Sequence, residues 1–349
     1  MKRSTEIEPA DKSAYNAAKE RWNSIAKPLG SLGLFEDAVC KTAAVQGTPD
    51  VDISRRAVVV FCADNGVVCE GVSQSDSSVT ALCAREIAGG RSNINALAKA
   101  YDADVVAIDI GIAEDLNCDK LLDRKNAYGT ENIAVGAAMS KDEAERAICV
   151  GMDAVNELKG SGVNIIVSGE MGIGNTTTSA AIASVLLGIE PTETTGRGAG
   201  LDSAGLARKI AVIERAIEIN KPDRNDPLDV LAKLGGFDIA GMVGLFLGGA
   251  FYHIPIVIDG AISAVSALIA KRIAPDCADY MLASHVSAEP VGKLLLDALG
   301  LKPVITAGMR LGEGTGGIML LPLLDGALNI YNSAHRFDEI GLERYTEKK

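Results

Sequence analysis

The sequence predicts an α/β fold of three layers, with a mostly parallel, Rossmann-like sheet between two sets of helices. Three observations predict it. Short apolar runs recur without polar alternation, at Ala57–Cys62, Val105–Ile110, Asn164–Val167 and Ile254–Ile258, as expected of strands buried on both faces. Helical stretches separate them, at Val79–Ala98, Lys141–Lys159 and Thr176–Leu187, which implies βαβ units. Polar residues follow the strand ends: Asp64, Asp109, Glu170 and Asp259. Ligands in such folds bind outside the carboxyl ends of the strands, so these four acids are expected to converge on one cleft.

Before the first strand, Ala14–Asn23 and Gly33–Gln46 read as helices, separated by the Pro/Gly loop Lys27–Gly33. The most apolar stretch, Ile239–Ala250, is short and glycine-rich and reads as a buried helix. No internal repeat and no low-complexity tract is found. Hydrophobic residues make up 48% of the 349 and aromatics only 4%, so small aliphatic residues and glycine supply the core. That suits close helix-on-sheet packing.

The net charge is −12, and no Lys/Arg cluster forms a basic face, which argues against nucleic acid as a partner. The polar start MKRSTEIEPADKSAYN has no apolar leader, and no apolar run reaches membrane-spanning length, so a cytoplasmic protein without membrane partners is expected. The seven cysteines are odd in number and show no CxxC spacing, which points to reduced thiols rather than disulfides or zinc. Three scattered histidines suggest no metal site, and no cofactor is expected.

Three segments carry chemistry. A strand runs into Gly169-Glu170-Met171-Gly172-Ile173-Gly174-Asn175, then into Thr176-Thr177-Thr178, a hydroxyl-rich helix start. Glycines let backbone N–H groups approach an anion, and the helix start adds free donors and a positive dipole end. The segment is neither a Walker A loop, since no Gly-Lys-Ser/Thr follows, nor a GxGxxG fingerprint. A plain strand–helix turn is the alternative reading. The second segment, Gly196–Asp202, alternates glycines including Gly198 and leads into a helix carrying Arg208 and Lys209, within reach of the same phosphate. A flexible loop with a solvated lysine is its alternative. In the third, Arg310–Gly317, Glu313 stands alone among glycines that leave room for a ligand, as a general base would. A solvated loop acid is the alternative there.

Together with Lys27–Gly33, Ala63–Val67, Gly235–Gly241, Asp259-Gly260 and Ser284–Pro290, the first and third of these segments resemble the nicotinate-nucleotide:dimethylbenzimidazole phosphoribosyltransferases, in order from about residue 20 to 325. The resemblance implies transfer of the phosphoribosyl group of nicotinate mononucleotide to 5,6-dimethylbenzimidazole or a related base. The products would be α-ribazole 5′-phosphate, for the lower ligand of cobalamin, and nicotinate. It implies a homodimer, an α/β catalytic domain at residues 51–325, and a small helical domain from residues 1–50 and 326–349. By motif, Glu313 matches the general base and Glu170 a second carboxylate. Gly172, Gly174, Asn175, Thr176, Thr177, Gly198, Lys209, Asp238, Asp259 and Gly260 match phosphate and donor positions. Ser73, Gln74, Leu82 and Leu311 match the acceptor-base pocket.

The implied chemistry suits these residues. Nicotinate leaves as a pyridine, so the transition state has oxocarbenium character that carboxylates near the ribose can stabilise. The attacking azole loses a proton from its second nitrogen, which a carboxylate can accept. A β donor giving an α product implies one direct displacement.

Two departures stand out. Asn65 replaces the histidine usual in Ala-Asp-His-Gly-Val, and Gln74–Thr80 lacks the aromatic–proline pair that lines the acceptor pocket in the family. A more polar pocket admits a purine or phenolic acceptor as an alternative. Two rival classes are another nucleotide enzyme, disfavoured by the missing fingerprints, and a non-catalytic nucleotide sensor, disfavoured by retention of both Glu170 and Glu313. His285, Asp109 and Trp22 read as structural residues.

Overall fold

The structure, a computed structural model, describes residues 7–346. The first six residues of the polar N-terminal segment, and the outermost ends of the expected chain-end domain, lie outside the described residues.

Asp11 accepts hydrogen bonds from the Ser13 and Ala14 N–H groups and starts helix α1 (Lys12–Ser24). Helix α2 (Leu34–Gln46) stops at Gly47, whose left-handed conformation closes its end. Strand β1 (Arg56–Ala63) follows, and all of it beyond Arg56 is buried. The stretch expected as one helix over Val79–Ala98 is two, α3 (Ser78–Ala88) and α4 (Asn93–Ala100). Gly89-Gly90 ends the first, and Ser92 with Asn95 forms a capping box that starts the second. Strands β2 (Ala103–Gly111) and β3 (Leu121–Asp123) precede α5 (Lys141–Gly160), which begins with the capping box Ser140/Glu143. Strand β4 (Ile165–Met171) leads into α6 (Asn175–Leu187), the short α7 (Pro191–Thr194), α8 (Ser203–Asn220), α9 (Pro227–Leu234) and α10 (Phe237–Tyr252). The chain closes with β5 (Ile256–Ile258), α11 (Ala261–Ile273), β6 (Met281–Ala283), α12 (Gly292–Leu299), α13 (Thr315–Ile318) and α14 (Leu321–Ser333).

The six strands form one parallel sheet in the order β3-β2-β1-β4-β5-β6. The expected α/β class therefore holds. The edge strands β3 and β6 escape sequence reading because their three residues stand in no longer apolar run, whereas the three of β5 lie within Ile254–Ile258. Strand periodicity divides the core in two. Val59 and Phe61 face one side with α5, α6 and α8 to α12, while Val58 and Val60 face the other with α1 to α4, α13 and α14. On the second side Trp22 is buried against Tyr331, so the chain-end helices α1 and α14 pack on each other.

Helix α10 is buried along nearly its whole length. Its Gly244 lies against the Ile148 carbonyl of α5, and Gly151 of α5 lies against the Gly241 carbonyl, so a Cβ at either place would overlap backbone. The two helices thus meet backbone to backbone. The chain runs outward from β1 to β3 and then returns to β4 on the other side of β1. That reversal is the topological switch point, where a doubly wound sheet opens a crevice.

Candidate active site

At the carboxyl ends of β4, β5 and β6 lies a cavity of about 220 Å³. Each wall grows from a strand end. Strand β4 delivers Glu170 and Met171, and Gly172-Ile173-Gly174 turns the chain into α6, whose Asn175 and Thr176 line the cavity. Gly174, at φ 93°, caps α6 without any side-chain hydrogen bond, so the helix start stays open toward the cavity. Strand β5 delivers Asp259 and Gly260, and β6 leads to His285, Ser287 and Glu289. Ser73, Gly198 and the loop Met309–Gly312 complete the wall.

One end of the cavity is built for an anion. Lys209 comes from the middle of α8 and is only 1% exposed. Its Nζ donates to Thr176 Oγ1 at 2.7 Å, and among the described residues no carboxylate pairs with it. Burial pushes its pKa down to about 8, partly offset by the more distant Glu289. Gly198, at φ 54°, passes beside this ammonium, and a Cβ there would stand 3.5 Å from Nζ. The Gly198 carbonyl accepts a hydrogen bond from Arg310 at 2.9 Å, which ties the 196–201 loop to the 309–312 loop.

The other wall is acidic. Glu170 is buried, and burial followed by repulsion from Asp238 raises its pKa to about 8. Asn175 Nδ2 donates to Glu170 and, at 3.0 Å, to Asp238. Asp259 is buried and spends its oxygens on backbone: Gly314 N–H at 3.2 Å and Gly317 N–H at 2.7 Å. It therefore clasps the 312–317 segment, with His285 facing it and Ser284 bonded to the imidazole at 2.9 Å.

Glu313 lies one residue beyond the cavity-lining Gly312 and does not itself line the cavity. Its carboxyl faces the N–H of Ile94 at the start of α4 and the thiol of Cys83 on α3. It is 7% exposed, its Oε2 has no hydrogen-bond partner, and burial raises its pKa. Its backbone is left-handed, with φ 61°. Asp102, Lys221 and His253 share that conformation but sit on the surface, so Glu313 is the buried non-glycine residue held in this strained state among those described.

Of the residues expected around donor and acceptor, Glu170, Gly172, Gly174, Asn175, Thr176, Gly198, Asp259, Gly260, Ser73 and Leu311 line this cavity. Others do not. Thr177 points into the core, because successive helical residues face different ways. Asp238 stands behind Asn175. Gln74 is turned away to donate to the Gly200 carbonyl at 2.5 Å. Leu82 is 56% exposed on α3. The four strand-end acids do not all converge: Glu170 and Asp259 do, whereas Asp109 pairs with Lys125 at 2.8 Å and Asp64 accepts from the Ala113 N–H at 2.8 Å. Sequence reading missed Ser287, Glu289, Met309 and Thr315 as lining residues. The available signal for the first two was their position just after a strand end, hidden because β6 is so short.

Comparison with known proteins gives this geometry its relatives. A phosphoribosyltransferase family profile (DBI_PRT) matches residues 7–342. A nicotinate-nucleotide–dimethylbenzimidazole phosphoribosyltransferase of Ruminiclostridium cellulolyticum is 45% identical over 94% of this chain and 93% of its own length. A protein of the same name from Acetivibrio thermocellus is 45% identical over 96% and 95%. The crystal structure of CobT from Thermus thermophilus superposes with a TM-score of 0.90 at 37% identity, covering 95% of this chain and all of that one. With this similarity running through nearly its whole length, the chain belongs to the family of nicotinate-nucleotide–dimethylbenzimidazole phosphoribosyltransferases.

Proposed function

We propose that the protein transfers the phosphoribosyl group of nicotinate mononucleotide to 5,6-dimethylbenzimidazole or a related base, releasing nicotinate and an α-linked nucleotide 5′-phosphate. The observation that carries this reading is the buried Lys209, which has no carboxylate partner and donates to the cavity-lining Thr176 at the open start of α6, with Glu170 on the same cavity. A buried ammonium without a counter-ion asks for an anion, and a mononucleotide phosphate meets the helix start and the lysine together. With the phosphate held there by Gly172–Thr176 and Lys209, the ribose lies along the wall that carries Glu170.

Nicotinate departs as a neutral pyridine, so the protein has to stabilise positive charge developing at C1′. Glu170, as carboxylate, does so. Glu313 serves as the base. A buried carboxylate oxygen without a donor is unfavourable, and the N–H of an azole is the donor that Glu313 Oε2 lacks. The acceptor ring then lies between the Arg310–Glu313 loop and α3, near Ser73 and Leu311. The absence of an aromatic–proline pair in Gln74–Thr80 makes that side more polar and favours a broader set of bases.

Among the described residues no helix is long and apolar enough to cross a membrane. We place the enzyme in the cytoplasm as a homodimer, with residues 1–50 and 326–349 as its small helical domain. Incubation with nicotinate mononucleotide and a panel of benzimidazoles, adenine and phenols tests the function. Base-dependent release of nicotinate is expected, and its absence with every base would remove the reading.

A further inference from the structure

Behind the cavity wall lies a second acid that the reaction does not use directly. Asp238, in the first turn of α10, is completely buried and does not reach the cavity. Its link to the cavity is Asn175, whose amide nitrogen donates to Glu170 on one side and to Asp238 at 3.0 Å on the other. Asp238 also accepts from the Ile239 N–H at 3.0 Å. Asn65, itself buried, stands beside it. Asn65 Oδ1 has no partner, and Gly172 and Gly236 pack against both side chains.

Among the described residues no cation pairs with Glu170 or Asp238; Lys209 is held on Thr176, the neighbour of Asn175. The titratable groups facing Glu170 are Asp238, Asp259, Glu313 and Cys62, and Asp64 faces Asp238. Lys125 is engaged with Asp109, and His285 faces Asp259. Asn175 favours the ionised form of each carboxyl, but burial and the repulsion among these acids outweigh it, so Glu170 and Asp238 do not both ionise cheaply and the unliganded pair retains a proton.

We infer that Asp238 is a positioning residue: through Asn175 it fixes the carboxyl of Glu170 toward the cavity and raises the pH at which Glu170 gives up its proton, and a donor whose pyridinium nitrogen enters beside Glu170 expels that proton to solvent. The inference rests on the proposed function only in taking the donor to be a pyridinium nucleotide. Burial, then mutual repulsion, already pushes Glu170 up to about 8, and burial pushes Asp238 up to about 6. The pyridinium charge supplies what is missing. It stabilises the Glu170 carboxylate at neutral pH, the state needed when positive charge builds at C1′.

The test is an infrared titration of the full-length protein. The neutral-carboxyl band is assigned to Glu170 by its loss in Glu170→Gln. In the wild type it titrates on the alkaline side of neutrality. In Asp238→Asn it titrates lower by about one pH unit, as expected when a neighbouring like charge is removed. Nicotinate mononucleotide, added at pH 7 with binding followed by calorimetry, abolishes the band. The acid limb of kcat/KM for nicotinate release moves with the band. If Asp238→Asn fails to fold, Asn65→His serves instead: it sets a cation beside Asp238 and shifts the band in the same direction. A band and an acid limb left in place while the rate falls at every pH would overturn the inference and mark Asp238 as merely structural. Bound mononucleotide with the band retained would also overturn it. Because the apo titration needs no turnover, a protein that titrates as stated but releases no nicotinate overturns the functional reading instead.

Discussion

A buried ammonium without a carboxylate partner weighs against folding unless an anion joins it. Lys209 is such a group, its pKa depressed to about 8 by burial. Below that pH the folded protein carries a charge it would rather lose, and the penalty fades as pH rises from about 8 towards the ordinary lysine value of 10.5. Replacing Lys209 with Met is therefore expected to stabilise the unliganded protein at pH 7, by about 2 kcal/mol, read by urea unfolding. The same change should weaken binding of nicotinate mononucleotide by about 100-fold or more, since a charge-assisted phosphate contact is lost. A variant that binds normally would show that the phosphate lies elsewhere. Glu313 is expected to behave differently. Glu313→Gln keeps the shape and removes the base, so donor affinity should persist while kcat with azole acceptors falls about 100-fold to 10,000-fold. Unchanged turnover would exclude Glu313 as the base. Lys209 was legible in the sequence as a cation after a glycine loop, but its burial was not. Burial depends on how α8 docks, and no local pattern records that.

At the scale of elements, the strands that could be read are those buried on both faces, because a short unbroken apolar run between turn residues suits a central strand and little else. β3 and β6 carry three residues each and are assembled by their neighbours. The break between α3 and α4 was written in Gly89-Gly90 and Ser92, yet apolar periodicity continues across it and masks the capping chemistry. The placement of Leu82 failed for a related reason: motif position gives a residue's neighbourhood, whereas the turn of α3 decides which way it points. Packing of α5 against α10 makes its own prediction. Gly244→Ala puts a Cβ against the Ile148 carbonyl, and the expected loss is about 1–3 kcal/mol of unfolding free energy without a change in KM. A stability equal to the wild type would mean that the two helices stand further apart than described.

The whole molecule sets a parallel sheet's switch point beside a crowd of buried acids, and its stability should carry that mark. A carboxyl whose pKa is raised on folding holds its proton longer in the folded state than in the unfolded chain. Glu170, raised from 4.5 to about 8, therefore makes the unliganded protein lose stability as pH climbs through that window, with no further loss above it. Asp238 adds a loss between 3.8 and about 6. Glu170→Gln should remove the first slope, making the protein more stable than wild type at pH 8 by of the order of 3 kcal/mol and little different near pH 4. Parallel pH–stability curves for the two proteins would contradict the raised value. The fold class and the glycine turn from β4 into α6 could be read from the sequence because they are local patterns. The Glu170–Asn175–Asp238 connection joins β4, α6 and α10, and only the assembled sheet brings those together.

The central claim is that one cavity holds the phosphoribosyl donor on Gly172–Thr176 and Lys209 while an azole displaces nicotinate at C1′ in a single step. Proton NMR of a reaction with nicotinate mononucleotide and dimethylbenzimidazole tests it most directly. Nicotinate and an α-configured nucleotide 5′-phosphate are expected to appear together, in equal amounts. A β-configured product, or nicotinate released without any new nucleotide, would contradict the account.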